Sequence, residues 1–265
     1  MRLLIRHFIP AFIGLLALQS SNALAVGITN SVNMPNGASK SLTTPTAWGA
    51  SNNVVFFGGG GTIPSPYSTK NDGAAVLGCG LGDSKKNIGV QLVLISNDVD
   101  LKSGWKEYSG AVQLSRQLGN ANAIAVGVDN VPLINGQMDD SGKSYYVVYS
   151  QGVQAGSFVN ETTGNSKLTY SIGVGTGQFS DKSPADIGSG KGAHGTYVFG
   201  NIAYELVPDL NVICDWNGVN LNAGLSHTFY VAHLPISVLV GAADLTDYSG
   251  DGVRCIFAVG TGFAL

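Results

Sequence analysis

A chain of 265 residues with a formal net charge of −3 lacks the basic excess of a nucleic-acid binder, so no nucleic-acid partner is expected. Only 12% of it is charged, against about 25% in an ordinary soluble domain. With 44% hydrophobic residues it is also far from a disordered, solvated chain, and its 37 glycines stand well above the usual ~7%.

Arg2 and Arg6 precede an apolar stretch from Phe8 to Leu18, a polar run Gln19-Ser20-Ser21-Asn22, and Ala23-Leu24-Ala25. This is the layout of a secretory signal peptide over residues 1–25, with the mature chain starting at Val26. The apolar run is shorter than the ~20 residues of a spanning helix and contains Pro10, which argues against an uncleaved anchor. Export is therefore expected, and no Cys follows the cleavage site to carry a lipid. Residues 26–53 are rich in Asn, Ser, Thr and Gly, contain Pro35 and Pro45, and hold no period. They read as an irregular segment, either a periplasmic arm or a piece tucked into a lumen.

From Val54 onward short β-branched and apolar runs alternate with clusters of Gly, Asn, Asp, Ser and Pro. Runs are expected near 54–60, 74–81, 88–96, 108–117, 121–128, 144–153, 167–177, 196–206, 210–216, 219–228, 235–242 and 252–263. That is about twelve strands, an even number as single-chain bacterial barrels have. Several are shorter than the ~9–11 residues of a tilted spanning strand.

Within the runs the side chains alternate with period two. Tyr170, Ile172 and Val174 stand against Ser171, Gly173 and Gly175; Ile124, Val126 and Val128 stand against Ala125 and Gly127; Leu221 and Leu225 stand against Asn222 and Ser226; Phe257 and Val259 stand against Ala258 and Gly260. A soluble sandwich would put Lys, Glu and Thr on its wet face. Here the second face is Gly, Ala, Ser and Asn, which suits a barrel with its apolar face in lipid and its small face inside. The fold expected over residues 54–265 is thus all-β, a closed antiparallel transmembrane β-barrel, with the last run paired to the first because a barrel leaves no free edge.

Asn217-Gly218 reads as a type I′ hairpin turn, and Val207-Pro208-Asp209-Leu210 as a second tight connection. Asp129 to Gly142 and Ser180 to Gly195 read as longer loops. Glycine on alternate positions, as in Gly78-Cys79-Gly80 and Gly173-Val174-Gly175, either widens the lumen or admits a close-packed plug. Neither string opens a helix with GxGxxG spacing, so no phosphate loop and no cofactor is expected.

Few residues carry chemistry. Cys79, Cys214 and Cys255 fall on the apolar face of three separate runs and read as small lipid-facing hydrophobes. His194, His227 and His233 have no metal-ligand spacing, and Asp244, Asp247 and Asp251 read as a solvated turn, so no metal is expected. No GxSxG is present, since Val148 stands where the first Gly of Tyr149-Ser150-Gln151-Gly152 would need to be, and no catalytic group is expected. The informative residues are ionisable or polar ones on the small face: Glu205, Asp215, Arg254, Asn222 and Ser226 are expected to face the lumen, because a charge facing lipid costs a few kcal/mol. A wet lumen would also hydrate an arginine at Asn222.

Several segments resemble a poorly characterised family of cyanobacterial and proteobacterial outer-membrane barrels: Val54-Val-Phe-Phe-Gly-Gly, Gly78-Cys-Gly-Leu-Gly-Asp83, Ile124-Ala-Val-Gly-Val-Asp-Asn130, Ile172-Gly-Val-Gly-Thr-Gly-Gln-Phe179 and Ile213-Cys-Asp-Trp-Asn-Gly-Val-Asn-Leu-Asn-Ala-Gly-Leu-Ser226. The last is also similar to exopolysaccharide-associated barrel proteins. Barrels of this class finish on an aromatic residue, whereas here Phe263 stands two positions before Leu265. The resemblance implies a non-enzymatic integral outer-membrane protein. It would be a passive channel or a structural or export-associated envelope component, with the lipid bilayer and the outer-membrane assembly machinery as partners and a small solute or polysaccharide as cargo. The alternative is a secreted all-β binding module or adhesin. An outer-membrane hydrolase would need a catalytic cluster that the sequence does not display.

Overall fold

The computed structural model describes residues 38–64, 72–96, 99–100, 104–105, 108–134, 142–182, 184–232, 234–247 and 252–265. The expected signal peptide, the first part of the 26–53 segment, His233 and Asp251 lie outside the described residues.

Twelve strands close into one antiparallel barrel. They are β1 (Val54–Ile63), β2 (Asp72–Gly82), β3 (Gly89–Ser96), β6 (Tyr108–Gly119), β7 (Asn122–Ile134), β8 (Ser144–Gly152), β9 (Leu168–Gly175), β10 (Val198–Val207), β11 (Leu210–Trp216), β12 (Leu221–Val231), β13 (Leu234–Ala243) and β14 (Arg254–Ala264). A two-residue pair, β4 (Val99–Asp100) and β5 (Gly104–Trp105), stands outside the barrel in the β3–β6 connection. Closure is made by β14 on β1, in register from Val54 opposite Ala264 to Ile63 opposite Cys255. Many strands run further than the sequence pattern suggested; β7 reaches 13 residues and β1 reaches 10.

Every second side chain along the barrel strands is outward, and most of these are large and apolar: Leu77, Leu92, Leu94, Val112, Leu114, Ile124, Val126, Val147, Ile172, Val174, Ile202, Val212, Leu225, Val240 and Val259 are all exposed. A continuous wall of this kind far exceeds the few hundred Å² of apolar patch that a soluble monomer tolerates. Among barrel-strand residues with described side chains, Asp129, Glu205, Asp215 and Arg254 are buried inside. Arg116, near the end of β6, reaches the carbonyl of Asn87 in the adjoining turn. Aromatic side chains flank the wall: Tyr145, Tyr197 and Trp216 towards one rim, Tyr170, Tyr204, Tyr230 and Phe263 towards the other, as at membrane–water boundaries. Tyr149 and Tyr170 both donate to Gln151 Oε1, at 3.1 and 2.7 Å, which holds that amide at the rim. Among the described residues no helix is long and apolar enough to cross a membrane; the strands make the crossing.

The inner face is divided. From β13 round to β3 it is mainly apolar, with Phe56, Val76, Val93, Ile95, Leu239, Ile256 and Ala258 packed together and Gln91, Ser237 and Arg254 as buried polar exceptions. Round β6 to β12 it is richer in polar groups, with Gln113, Ser150, Asn201, Asn211, Asp215, Asn222 and Ser226 all buried, alongside a second apolar cluster of Ala123, Ala125, Tyr146, Val148 and Phe199. The inward glycines do not widen the lumen. Phe56 lies opposite Gly78, Phe199 opposite Gly173 and Tyr146 opposite Gly127 in the strand register. A Cβ on these glycines would lie 2.2, 2.2 and 2.3 Å from the facing ring. Each ring lies flat over a backbone that has no side chain to lift it.

The rim carrying the C-terminus and the start of β1 has short two-residue turns at Asn120-Ala121 and Pro208-Asp209. Both Asn120 and Ala121 have positive φ, so the type I′ geometry sits there. At Asn217-Gly218 only Gly218 does, with φ 100°, and the connection instead closes through the Asn217 carboxamide, which accepts from the N–H groups of Val219 and Asn220. An asparagine followed by glycine fits both turns, and here the longer connection to Leu221 selects the second.

Candidate functional site

Ala38 to Ser51 runs inside the barrel, and each of these residues is buried. Asn52 and Asn53, with φ of 63° and 57°, reverse the chain from the lumen into β1; asparagine tolerates that left-handed region better than most residues. The reversal is pinned on both sides, since Asn52 N–H donates to Gly82 O at 2.7 Å and Leu265 N–H to Asn53 O at 2.8 Å.

The wall takes hold of the segment chiefly by its main chain. Ala50 N–H donates to Gln91 Oε1 at 2.8 Å and Ala47 N–H to Ser150 Oγ at 2.8 Å, while Gln113 Nε2 donates to Thr46 O at 3.0 Å. At the far end Asn211 Nδ2 and Ser226 Oγ donate to Ser39 O at 2.9 and 2.7 Å. Backbone groups that left water on entering the barrel thereby keep partners, as buried amides must.

Asp215 is the centre of this arrangement. Its carboxylate accepts from Leu42 N–H at 2.8 Å, Thr43 N–H at 2.7 Å, Ser41 Oγ at 3.0 Å, Thr43 Oγ1 at 3.1 Å and Asn222 Nδ2 at 2.8 Å. Ser41 also caps the turn by accepting from Thr44 N–H at 2.9 Å. A buried carboxylate satisfied this fully is a structural anion rather than a free base.

The other residues expected at the lumen are also on the inner face and buried. Asn222 joins Asp215 to Thr43 Oγ1 at 2.9 Å and accepts from Asp244 N–H at 2.9 Å. It therefore lies in packed protein where an arginine finds no water. Asp244 is fully buried, not in a solvated turn. Glu205 accepts from Asn160 Nδ2, in the β8–β9 connection, at 3.1 Å, and with Asp209 it is one of the negative charges acting on the buried Lys40 of the segment. Arg254 lies across the barrel on β14, opposite Ala243 of β13.

A second element enters from the opposite rim. The 3-10 turn Gly177–Phe179 directs Phe179 inward, stacked on Phe199 at 4.3 Å and edge-on to Tyr146 at 5.9 Å. Gln178 ties the turn to the wall, donating to Asp129 Oδ2 at 3.3 Å and accepting from Asn130 Nδ2 at 3.4 Å. Just beyond it, Asp181 lies 3.3 Å from His194 Nδ1 and accepts from Ser180 Oγ at 2.7 Å. The serine is thus wired to the carboxylate and not to the imidazole, the reverse of what a nucleophile and its base require.

The three cysteines are free, and their strands point them outward. In the β2–β3 turn, outside the spanning strands, the N–H groups of Lys86 and Lys85 hold the Asp83 carboxyl below the ordinary carboxylate range.

The sequence left the segment open between a periplasmic arm and a piece in the lumen, and residues 38–51 take the second place; the wall residues that receive it, Gln91, Gln113, Ser150, Asn201 and Asn211, were missed. The available signal was polar side chains of hydrogen-bonding length at inward positions of five strands.

No family model and no curated protein matches the chain. Solved structures do. A KdgM porin in complex with disordered oligogalacturonate superposes with a TM-score of 0.46 at 10% identity, over 80% of this chain and 99% of that one. The outer membrane phospholipase A of Escherichia coli gives 0.42 at 13% identity, over 80% and 95%. The Salmonella typhi outer membrane phospholipase dimer with bound calcium gives 0.41 at 12%, over 80% and 90%. This chain is an outer-membrane type of β-barrel. Its apolar outer wall, twelve closed strands and paired aromatic belts carry that statement.

Proposed function

We propose that the chain is exported through a signal peptide cleaved before Val26 and placed in the outer membrane by that membrane's assembly machinery. There it serves without catalysis, as an envelope barrel that its own N-terminal segment keeps closed. The observation that carries this reading is the burial of Ala38 to Ser51 across the lumen, with main-chain bonds to β3, β6, β8, β11 and β12. The inward Phe179 turn supports it from the other rim, and the wiring of Ser180 supports the absence of a hydrolytic site. Passage of a small solute or polysaccharide, on this reading, requires the segment to leave.

The test is single-channel recording of the mature protein in planar bilayers. Long closed periods with rare openings are expected. A steady open level from the unmodified protein would overturn the reading in favour of a standing pore.

A further inference from the structure

We propose that the inner wall from β6 to β12 is a peptide-binding groove occupied in cis by Ala38–Ser51, its ligand class being an extended Ser/Thr/Ala-rich peptide with one branched apolar and one aromatic anchor. This rests on the reading that the segment closes the lumen, and it adds that closure is a binding equilibrium with defined recognition points.

Recognition is by main chain over most of the groove, which makes it tolerant of side-chain identity there. Gln113, Ser150, Asn211 and Ser226 bond to peptide N–H or C=O groups, with Gln91 of β3 extending the set at one end. Side chains are read at four points: Trp48 is buried in a cluster with Tyr146, Phe179 and Phe199, Lys40 lies buried under the charges of Glu205 and Asp209, and Leu42 and the Ser41–Thr44 turn supply the other two. Leu42 sits over a floor of two glycines: a Cβ on Gly224 or Gly241 would come to 2.9 or 3.0 Å from Leu42 Cδ2. Immediately beside it, Asp215 clamps the Ser41–Thr44 turn through two N–H groups and two hydroxyls.

The segment can also withdraw. Ser51 meets Ser84 in the β2–β3 turn at 3.1 Å, and Ala38 O accepts from Asn211 beside the Pro208-Asp209 turn at 3.4 Å. Both turns belong to the rim where β1 begins. Both ends of the described segment therefore lie at one rim, and release of 38–51 towards that rim is the motion the groove calls for. Its grip differs in kind along its length: Thr46 Oγ1 and Trp48 Nε1 are buried with no protein partner, and the middle is held largely by the packing of Trp48 against Tyr146, Phe179 and Phe199, whereas the turn at Asp215 is held by hydrogen bonds. Tethering through Asn52-Asn53 gives the segment an effective concentration on the order of millimolar. A free peptide then competes only when the cis contacts are weakened.

The experiment uses the mature full chain carrying Leu42→Lys, in planar bilayers, with the synthetic peptide Ala38–Ser51 as probe. The open fraction should rise roughly tenfold or more. The peptide should return it to the unmodified level from the side of the rim where β1 begins, and a peptide with Leu42→Asp should not. Asp215→Asn keeps the side-chain shape and covers the case in which Leu42→Lys does not fold. Its open fraction should also rise, and closure by the peptide should need roughly tenfold more of it. In a Trp105→Phe, Trp216→Phe background, either variant should shift Trp48 emission to the red as the segment leaves. A variant that opens but ignores the peptide, or is closed equally by both peptides, overturns the groove and leaves the closed-barrel reading standing. A steady open level in the unmodified chain removes that reading instead.

Discussion

Replacing Leu225 with arginine tests whether the outer wall lies in lipid. Leu225 is central in β12, and the register sets it beside Val212 of β11 and Val240 of β13, with Phe257 of β14 beyond. Leu225, Val212 and Val240 are 43%, 40% and 46% exposed, so the row forms an apolar surface across three strands; the outward His227, two residues nearer the chain-end rim, is already engaged with Asp209 O at 2.9 Å. An arginine near the bilayer midplane of such a barrel costs about 2–4 kcal/mol. On the surface of a soluble protein the same exchange changes stability by only about 0.5 kcal/mol either way. Phe229 supplies an internal control, since it shares the strand and the face four residues nearer the chain-end rim. Four residues span about 13 Å along a strand, or roughly 10 Å of membrane depth at the usual tilt of ~40°. Phe229→Arg should therefore cost only about 0–1 kcal/mol from its charge. The assay is reversible urea unfolding in lipid vesicles, scored by heat-dependent gel mobility. Equal losses at 225 and 229, or a loss below about 0.5 kcal/mol at 225, would mean that the apolar face is not in lipid.

Two further outcomes follow from the two faces. Gly78→Ala should cost about 1–3 kcal/mol by overpacking, because its Cβ would lie 2.2 Å from the ring of the fully buried Phe56; in urea unfolding the Gly78→Ala, Phe56→Leu pair should lose less than the sum of the two single changes. In vesicles a membrane-impermeant maleimide should label Cys255, one residue into β14, faster than Cys79 and Cys214, which lie deeper in their strands; equal rates before unfolding would count against the depth order.

The barrel was legible because its signal is local and repeated. Tyr170-Ser171-Ile172-Gly173-Val174 announces two faces in five residues, and a side-chain period of two leaves no other way to keep both. The even strand number and the pairing of the last strand with the first follow from closing a sheet without edges. Strand ends were less legible. In β7 the pattern fades after Val128, yet the ladder continues to Ile134 through register shifts against β6 that a two-residue period does not encode.

What fills the barrel was legible only as one of two alternatives, and the reason is chemical. Glycine, serine and asparagine on an inner face leave room and offer hydrogen bonds, and water and a peptide backbone accept both equally well. Asn222 shows the ambiguity: the same carboxamide that a wet pore would hydrate here bridges Asp215, Thr43 and Asp244. The segment gave no sign of its own either, because an occupant held mainly by its main chain needs no periodic pattern, only small side chains that let the backbone approach the wall. A weak mark was present on both partners. The inner wall of β6 to β12 carries amides and a carboxylate where the wall of β13 to β3 carries Phe56, Ile95 and Ile256, and a purely solvated pore gives no reason for one half to be more apolar. The more apolar half packs upon itself and upon Leu42, and apart from the Ala50 bond to Gln91 the main-chain bonds go to the other half, which also seats Trp48, so the asymmetry of the wall matches the segment that lies against it.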